Sequence, residues 1–140
     1  VIESPDVLSR LRAISKTAAF NTWLDFDVTR AAAGEVEMQL RWRDEFGQYS
    51  GFLHAGIVAA LLDTACGFAA ATMSDDRVLA SQISVRFLRP AVADVFVVRG
   101  SVVKPGRQQI FATAELFSLA GEPVKILAVG DALLVPVTTK

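Results

Sequence analysis

One segment constrains the fold of this chain more than any other. Residues 55–72, AGIVAALLDTACGFAAAT, are apolar nearly all round and are interrupted by a single carboxylate, Asp63. A helix of that kind is surrounded by protein, so the remaining residues must wrap it. It does not read as a membrane span, because no apolar run in the chain reaches the roughly 18–20 residues such a helix needs. An unpaired carboxylate inside protein is costly or takes up a proton. Asp63 therefore needs a partner across the core, of which Arg86 is one candidate, or a chemical purpose.

The flanking residues supply the wrapping. Ser4-Pro5-Asp6 is a helix start, with a cap residue, a proline in the first turn and an acid near the positive dipole end; Leu8, Leu11, Ile14 and Ala18 then fall on one face. From Leu24 the period becomes two. Leu24, Phe26 and Val28 alternate with polar residues, Ala32-Ala33-Gly34 turns the chain, and Val36, Met38, Leu40 and Trp42 alternate again, which predicts a half-buried hairpin. Residues 44–53 read as a loop. Four further strands are expected over about 79–89, 92–103, 108–119 and 123–136, with Lys104-Pro105-Gly106-Arg107 turning between the middle two. Phe87, Phe96, Phe111 and Phe117 stand at strand periodicity and are expected in the core. The order helix, hairpin, buried helix and consecutive antiparallel strands is an α+β arrangement. No repeat or linker divides it, so residues 1–140 are read as one domain.

Composition narrows the functions. With 14 Lys and Arg against 15 Asp and Glu the net charge is −1, which offers no global field for nucleic acid or an anionic membrane. Cys66 is the one cysteine and His54 the one histidine, so neither a disulfide nor a metal-ligand set is expected. Cys66 reads as a small core residue. No signal-peptide pattern is visible at the start, and cytoplasm is the expected compartment.

His54 falls just before the long helix. It reads either as a cap or as a functional group, and the N–H groups of Ala55, Gly56 and Ile57 beside it belong to a first helical turn with no intrahelical acceptors. A carbonyl turning into an oxyanion would suit them. Nine residues at about 1.5 Å each put Asp63 roughly 13 Å along the axis from His54. If both act on one substrate, the second comes from another subunit, and a two-fold axis would generate two such sites. Arg86 and Arg89, and Lys104 and Arg107, are basic pairs that read as solvated surface individually and as phosphate ligands jointly.

Gly51-Phe52-Leu53-His54-Ala55-Gly56 followed by Ala59-Ala60-Leu61-Leu62-Asp63 resembles the histidine-glycine-glycine and aspartate signature of hotdog-fold thioesterases of the phenylacetic-acid-degradation (PaaI-like) type. Residues 84–91 look like that family's central strand and residues 104–107 like its hairpin turn. The resemblance, over about residues 20–136, implies an antiparallel sheet wrapped around the central helix, in a dimer or a dimer of dimers. It implies hydrolysis of acyl-coenzyme A without metal or redox cofactor, coenzyme A being part of the substrate. By the same resemblance Asp63 is the base or nucleophile and Ala55, in place of the first glycine, is the backbone donor to the thioester oxygen. Gln48 stands where relatives carry Asn, and Ala80 or Ser81 where many carry a Ser or Thr. His54 would orient the loop or the thioester, and the residues near Arg89 and Arg107 would meet the nucleotide phosphates. A hotdog 3-hydroxyacyl dehydratase and a non-catalytic acyl-CoA-binding module remain alternatives. The acyl group is not fixed by the sequence.

Overall fold

The computed structural model describes residues 4–120 and 124–137, so the first residue of the strand expected over 123–136 lies outside the described residues. Helix α1 (Pro5–Ser15) begins with proline at N1, and Leu11 is its buried anchor; Ile14 is 44% exposed. A short helix α2 (Ala19–Leu24) follows, which the alternating pattern concealed. Leu24 and Phe26 are both buried as alternation requires. Leu24 nevertheless closes a helix rather than opening a strand, because Asp25 adopts a left-handed conformation (φ 59°) that reverses the chain before β1 (Asp27–Ala32).

Strand β1 pairs with β2 (Glu35–Arg41) across the tight turn at Gly34, whose φ of +78° is a glycine conformation. Helix α3 (Ala55–Ala71) comes next. Strands β3 (Arg77–Phe87), β4 (Val95–Lys104), β5 (Ile110–Ser118) and β6 (Ile126–Val137) complete one antiparallel sheet of six strands in the order β1-β2-β4-β5-β6-β3. The strands after α3 are therefore not simply consecutive neighbours. The segment resembling a central strand, β3, crosses to the far edge and pairs with β6 alone. This is the hotdog arrangement, a sheet around a long helix.

Helix α3 is held by size complementarity. Ile57, Val58, Leu61, Leu62, Ala65, Cys66, Ala69 and Ala70 are buried against the sheet, and a fully buried leucine contributes about 1.5–3 kcal/mol. At Gly100 on β4, an added Cβ would lie 2.7 Å from the Ala65 carbonyl carbon, so the helix backbone rests directly on the strand. The opposite side of α3 differs. Ala59, Ala60, Asp63, Thr64 and Gly67 are only half-buried, and a Cβ at Gly67 would meet nothing within 4 Å. Within one protomer the helix is thus covered on one face and open on the other, a correction to the expectation that it is enclosed all round.

The two sheet edges are also unequal. Helix α1 covers β1, with the Ser4 N–H donating to the Ala31 carbonyl and the Arg12 Nε–H to the Val28 carbonyl, each at 3.0 Å. Strand β3 is an 11-residue edge whose residues are mostly exposed. A long bare edge is a template for pairing with another strand.

Candidate functional site

The loop entering α3 is pinned from both sides. Phe46 and Leu53 are buried at 1% and 2% exposure. Gly47 and Leu53 form an isolated bridge, the Gln48 N–H donates to the Phe52 carbonyl (2.8 Å), the His54 N–H to that of Phe46 (2.9 Å) and the Leu53 N–H to that of Ala91 (2.9 Å). Between those fixed points Ser50 and Gly51 both take positive φ, and the loop presents Tyr49 to solvent. The Gln48 side chain faces back toward the helix start, where its Nε2–H reaches the Leu53 carbonyl over a long 3.4 Å.

His54 is the N-cap of α3. The Gly56 N–H donates to its Nδ1 at 2.8 Å, and its carbonyl accepts from the N–H groups of Ile57 (2.9 Å) and Val58 (3.1 Å). Of the three amides expected to be free, only that of Ala55 has no protein acceptor among the described residues. Gly56, expected to share the oxyanion, is taken by the cap. A neutral histidine accepting at Nδ1 carries its proton on Nε2, so the exposed edge of His54 is a donor.

Asp63 lies on the open face of α3 and is half-buried. Among the described residues it makes no ion pair or side-chain hydrogen bond, and burial raises its carboxyl above the usual carboxylate range. Pairing with Arg86 fails because of the pleat. Arg86 stands opposite Val129, whereas the next position, Gly130, packs against Leu62 of α3, so Arg86 is on the far side of the sheet. One turn along α3, Cys66 is 1% exposed, and burial with the nearby Asp63 and Asp131 charges pushes its thiol up to about 12. It is a core residue, as expected.

A pocket of about 310 Å³ opens beside the α3 N-terminus and brings together Gln48, Ala55 and Arg89. Asp63, His54 and Ser81 do not line it. Arg89 is held at the pocket by a bond from Nη1 to the Ile126 carbonyl (2.6 Å). Ser81 sits at the bulge between Ala80 and Gln82, near the middle of β3 rather than at its start. Lys104 and Arg107 occupy the β4–β5 turn, which lies at the Ala80 end of the sheet, whereas Arg86 and Arg89 lie at the other end. The four basic residues do not meet within one chain.

Sequence reasoning missed the pocket walls. Phe87, assigned to the core, is 55% exposed and faces this pocket, and Phe111 is 43% exposed on the outer face of the sheet; of the four phenylalanines, Phe96 is the fully buried one and Phe117 is half-buried. Strand parity distinguishes faces but not which face is covered.

The family model for the thioesterase superfamily matches residues 50–125, from the loop before α3 through β5. The chain belongs to the thioesterase superfamily. A protein of Halobacterium salinarum, whose esterase assignment is itself provisional, is 32% identical over 121 residues, 78% of each chain. A Saccharolobus solfataricus protein with the same provisional assignment is 28% identical over 102 residues, 71% of this chain and 72% of that one. Among solved structures, a thioesterase family protein from Silicibacter pomeroyi superposes with a TM-score of 0.89 at 31% identity, covering 95% of this chain and 99% of that one. The E. coli PaaI protein from the phenylacetic acid degradation operon shares the fold (TM-score 0.86, 98% and 97% covered) at 19% identity. Superfamily membership supports a thioester-hydrolase-like function.

Proposed function

We propose that the protein hydrolyses acyl-coenzyme A thioesters at sites shared between two protomers. One observation carries this reading: the pocket beside the free Ala55 amide contains no carboxylate, while Asp63 stands unpartnered on a helix face that its own protomer leaves open. An antiparallel pairing of two β3 edges would extend the sheet, cover both α3 faces and bring each Asp63 toward the other protomer's Ala55.

In this site the thioester oxygen accepts a hydrogen bond from the Ala55 N–H, which strengthens as the oxygen becomes an oxyanion. Asp63 of the partner subunit takes a proton from water or attacks the carbonyl carbon, and the coenzyme A thiolate leaves. The His54 Nε2–H and the Gln48 amide orient the thioester. Ser81, at the bulge in the partner's β3, would approach from the same side as Asp63. The two-fold would also turn the partner's Lys104 and Arg107 toward the end where Arg89 lies, a basic rim for the nucleotide phosphates to which Arg86, on the far side of the sheet, does not contribute. The reaction so written needs no metal or redox cofactor. The engagement of Nδ1 argues against a dehydratase, which would need His54 as its base.

The test is complementation. Asp63→Asn and Ala55→Pro are each inactive alone in a thiol-release assay with acyl-CoA. Unfolded together and refolded, they form mixed dimers in which one of two sites has both groups intact, so about a quarter of wild-type activity returns. Restoration of nothing, with mixed dimers verified by mass, would refute the shared site; absence of thiol release by the wild type would refute the enzyme.

A further inference from the structure

Resting on the thioesterase reading, we propose that the pocket beside Ala55 receives the acyl limb of the substrate and restricts it to an apolar group of about ten non-hydrogen atoms. At roughly 30 Å³ per non-hydrogen atom, the volume a water molecule takes in the liquid, the cavity of about 310 Å³ holds about ten such atoms.

The walls suit the acyl limb better than the other. Pantetheine carries two amides that need hydrogen-bond partners when removed from water, and several of the main-chain donors at these walls are already engaged. The Leu53 N–H is bonded to the Ala91 carbonyl, and the N–H groups of Leu88 and Arg89 both go to the Leu127 carbonyl at 2.9 and 3.1 Å. Gln48 and Arg89 are the charged or polar side chains at the pocket, and each points a donor at a main-chain carbonyl. The other walls, including Phe52, Phe87 and Leu88, are apolar. Val58 and Ala128, each 2% exposed, close the inner end as part of the core, whereas Phe87 and Leu88, 55% and 50% exposed, frame the mouth. The cavity is therefore closed at its core end and mainly apolar, with Ala55 in its wall. A carbonyl held there has one limb inside and the polar limb outside.

The experiment uses the full chain and saturated acyl-CoA substrates from four to sixteen carbons, with a single-ring acyl-CoA alongside. The value of kcat/KM rises by about fourfold per methylene while chain is being buried, peaks near eight to ten carbons, and falls for longer chains; the single-ring substrate is accepted. Leu88→Trp, at the half-exposed mouth, shifts the peak toward shorter chains, and Val58→Ala shifts it toward longer ones. Hydrolysis that continues to improve to sixteen carbons, or a peak that neither variant moves, overturns the pocket assignment and leaves the thioesterase reading standing. No thiol release from any substrate overturns both. If Val58→Ala fails to fold, Leu88→Trp decides alone, with its fold checked by circular dichroism.

Discussion

Replacing Ala55 by proline deletes one hydrogen-bond donor while asking almost nothing of the backbone. Ala55 is the first residue of α3, a position where proline's fixed φ suits a helix and its missing N–H costs no intrahelical bond. The residue before a proline is confined to extended conformations, and His54 is already there at φ −59° and ψ 135°. The Gly56 N–H to Nδ1 bond, which keeps His54 in place, is not touched. A compatible proline stabilises by about 0.4–1 kcal/mol through the unfolded chain, which for a domain of this size raises Tm by about 1–5 °C. Loss of an oxyanion donor costs about 10²–10³ in kcat. Stability and activity are thus expected to move in opposite directions. The assay is thiol release with a thiol-reactive dye for kcat and KM, beside a thermal melt followed by circular dichroism. A variant that melts at or above the wild-type temperature and still turns over within a few-fold of it would remove the Ala55 amide from the mechanism.

Asp63→Asn is expected to lower kcat by about 10²–10⁴, the range for a general base. It should also stabilise the protein at neutral pH. Burial raises the native carboxyl above its unfolded value, so native stability falls as pH rises from the ordinary carboxylate range through the raised native value; the melting advantage of Asp63→Asn should therefore shrink as pH is lowered, and an advantage that grows in acid would contradict the assignment. For the same reason the acid limb of the wild-type kcat/KM profile should lie above the range of an exposed aspartate. Gly100→Ala forces a Cβ against the Ala65 carbonyl and should cost about 1–3 kcal/mol, read as a lower urea midpoint. Cys66, buried with its thiol pushed up to about 12, should resist iodoacetamide at pH 8 in the native protein and react after unfolding; rapid native labelling would show that α3 opens readily.

What the sequence displayed was whatever depends on neighbours along the chain. The span of α3, the β1–β2 hairpin and the turn at Lys104 to Arg107 follow from periodicity and turn residues, which act within a few positions. Strand order does not. Nothing within residues 77–87 says that they pair with β6 rather than with β4, since that choice is set by how the whole sheet closes on α3. Phe87 illustrates the loss: its parity is legible, but its exposure follows from its place near the end of an edge strand. Gly56 failed for a different reason. A helix start offers free amides by rule, and which of them stays free depends on the χ angles of His54, which no spacing encodes.

The bare edge of β3 and the open face of α3 are one problem with one solution. An uncovered helix of small residues is tolerable when another copy covers it, and in the proposed dimer the approach that pairs two β3 edges would bring two such helix faces together. Small side chains at Ala59, Ala60 and Gly67 would let the helices come close enough for Asp63 to reach across, and larger ones would hold the carboxylate away from the neighbouring pocket. Leucine at Gly67 should thus weaken both the dimer and kcat, although a Cβ there meets nothing in the protomer itself. Sedimentation and thiol release measured together over a range of protein concentration would show activity falling in step with dissociation. A monomeric Gly67→Leu with full activity would separate the interface from the chemistry and return Asp63 to its own chain.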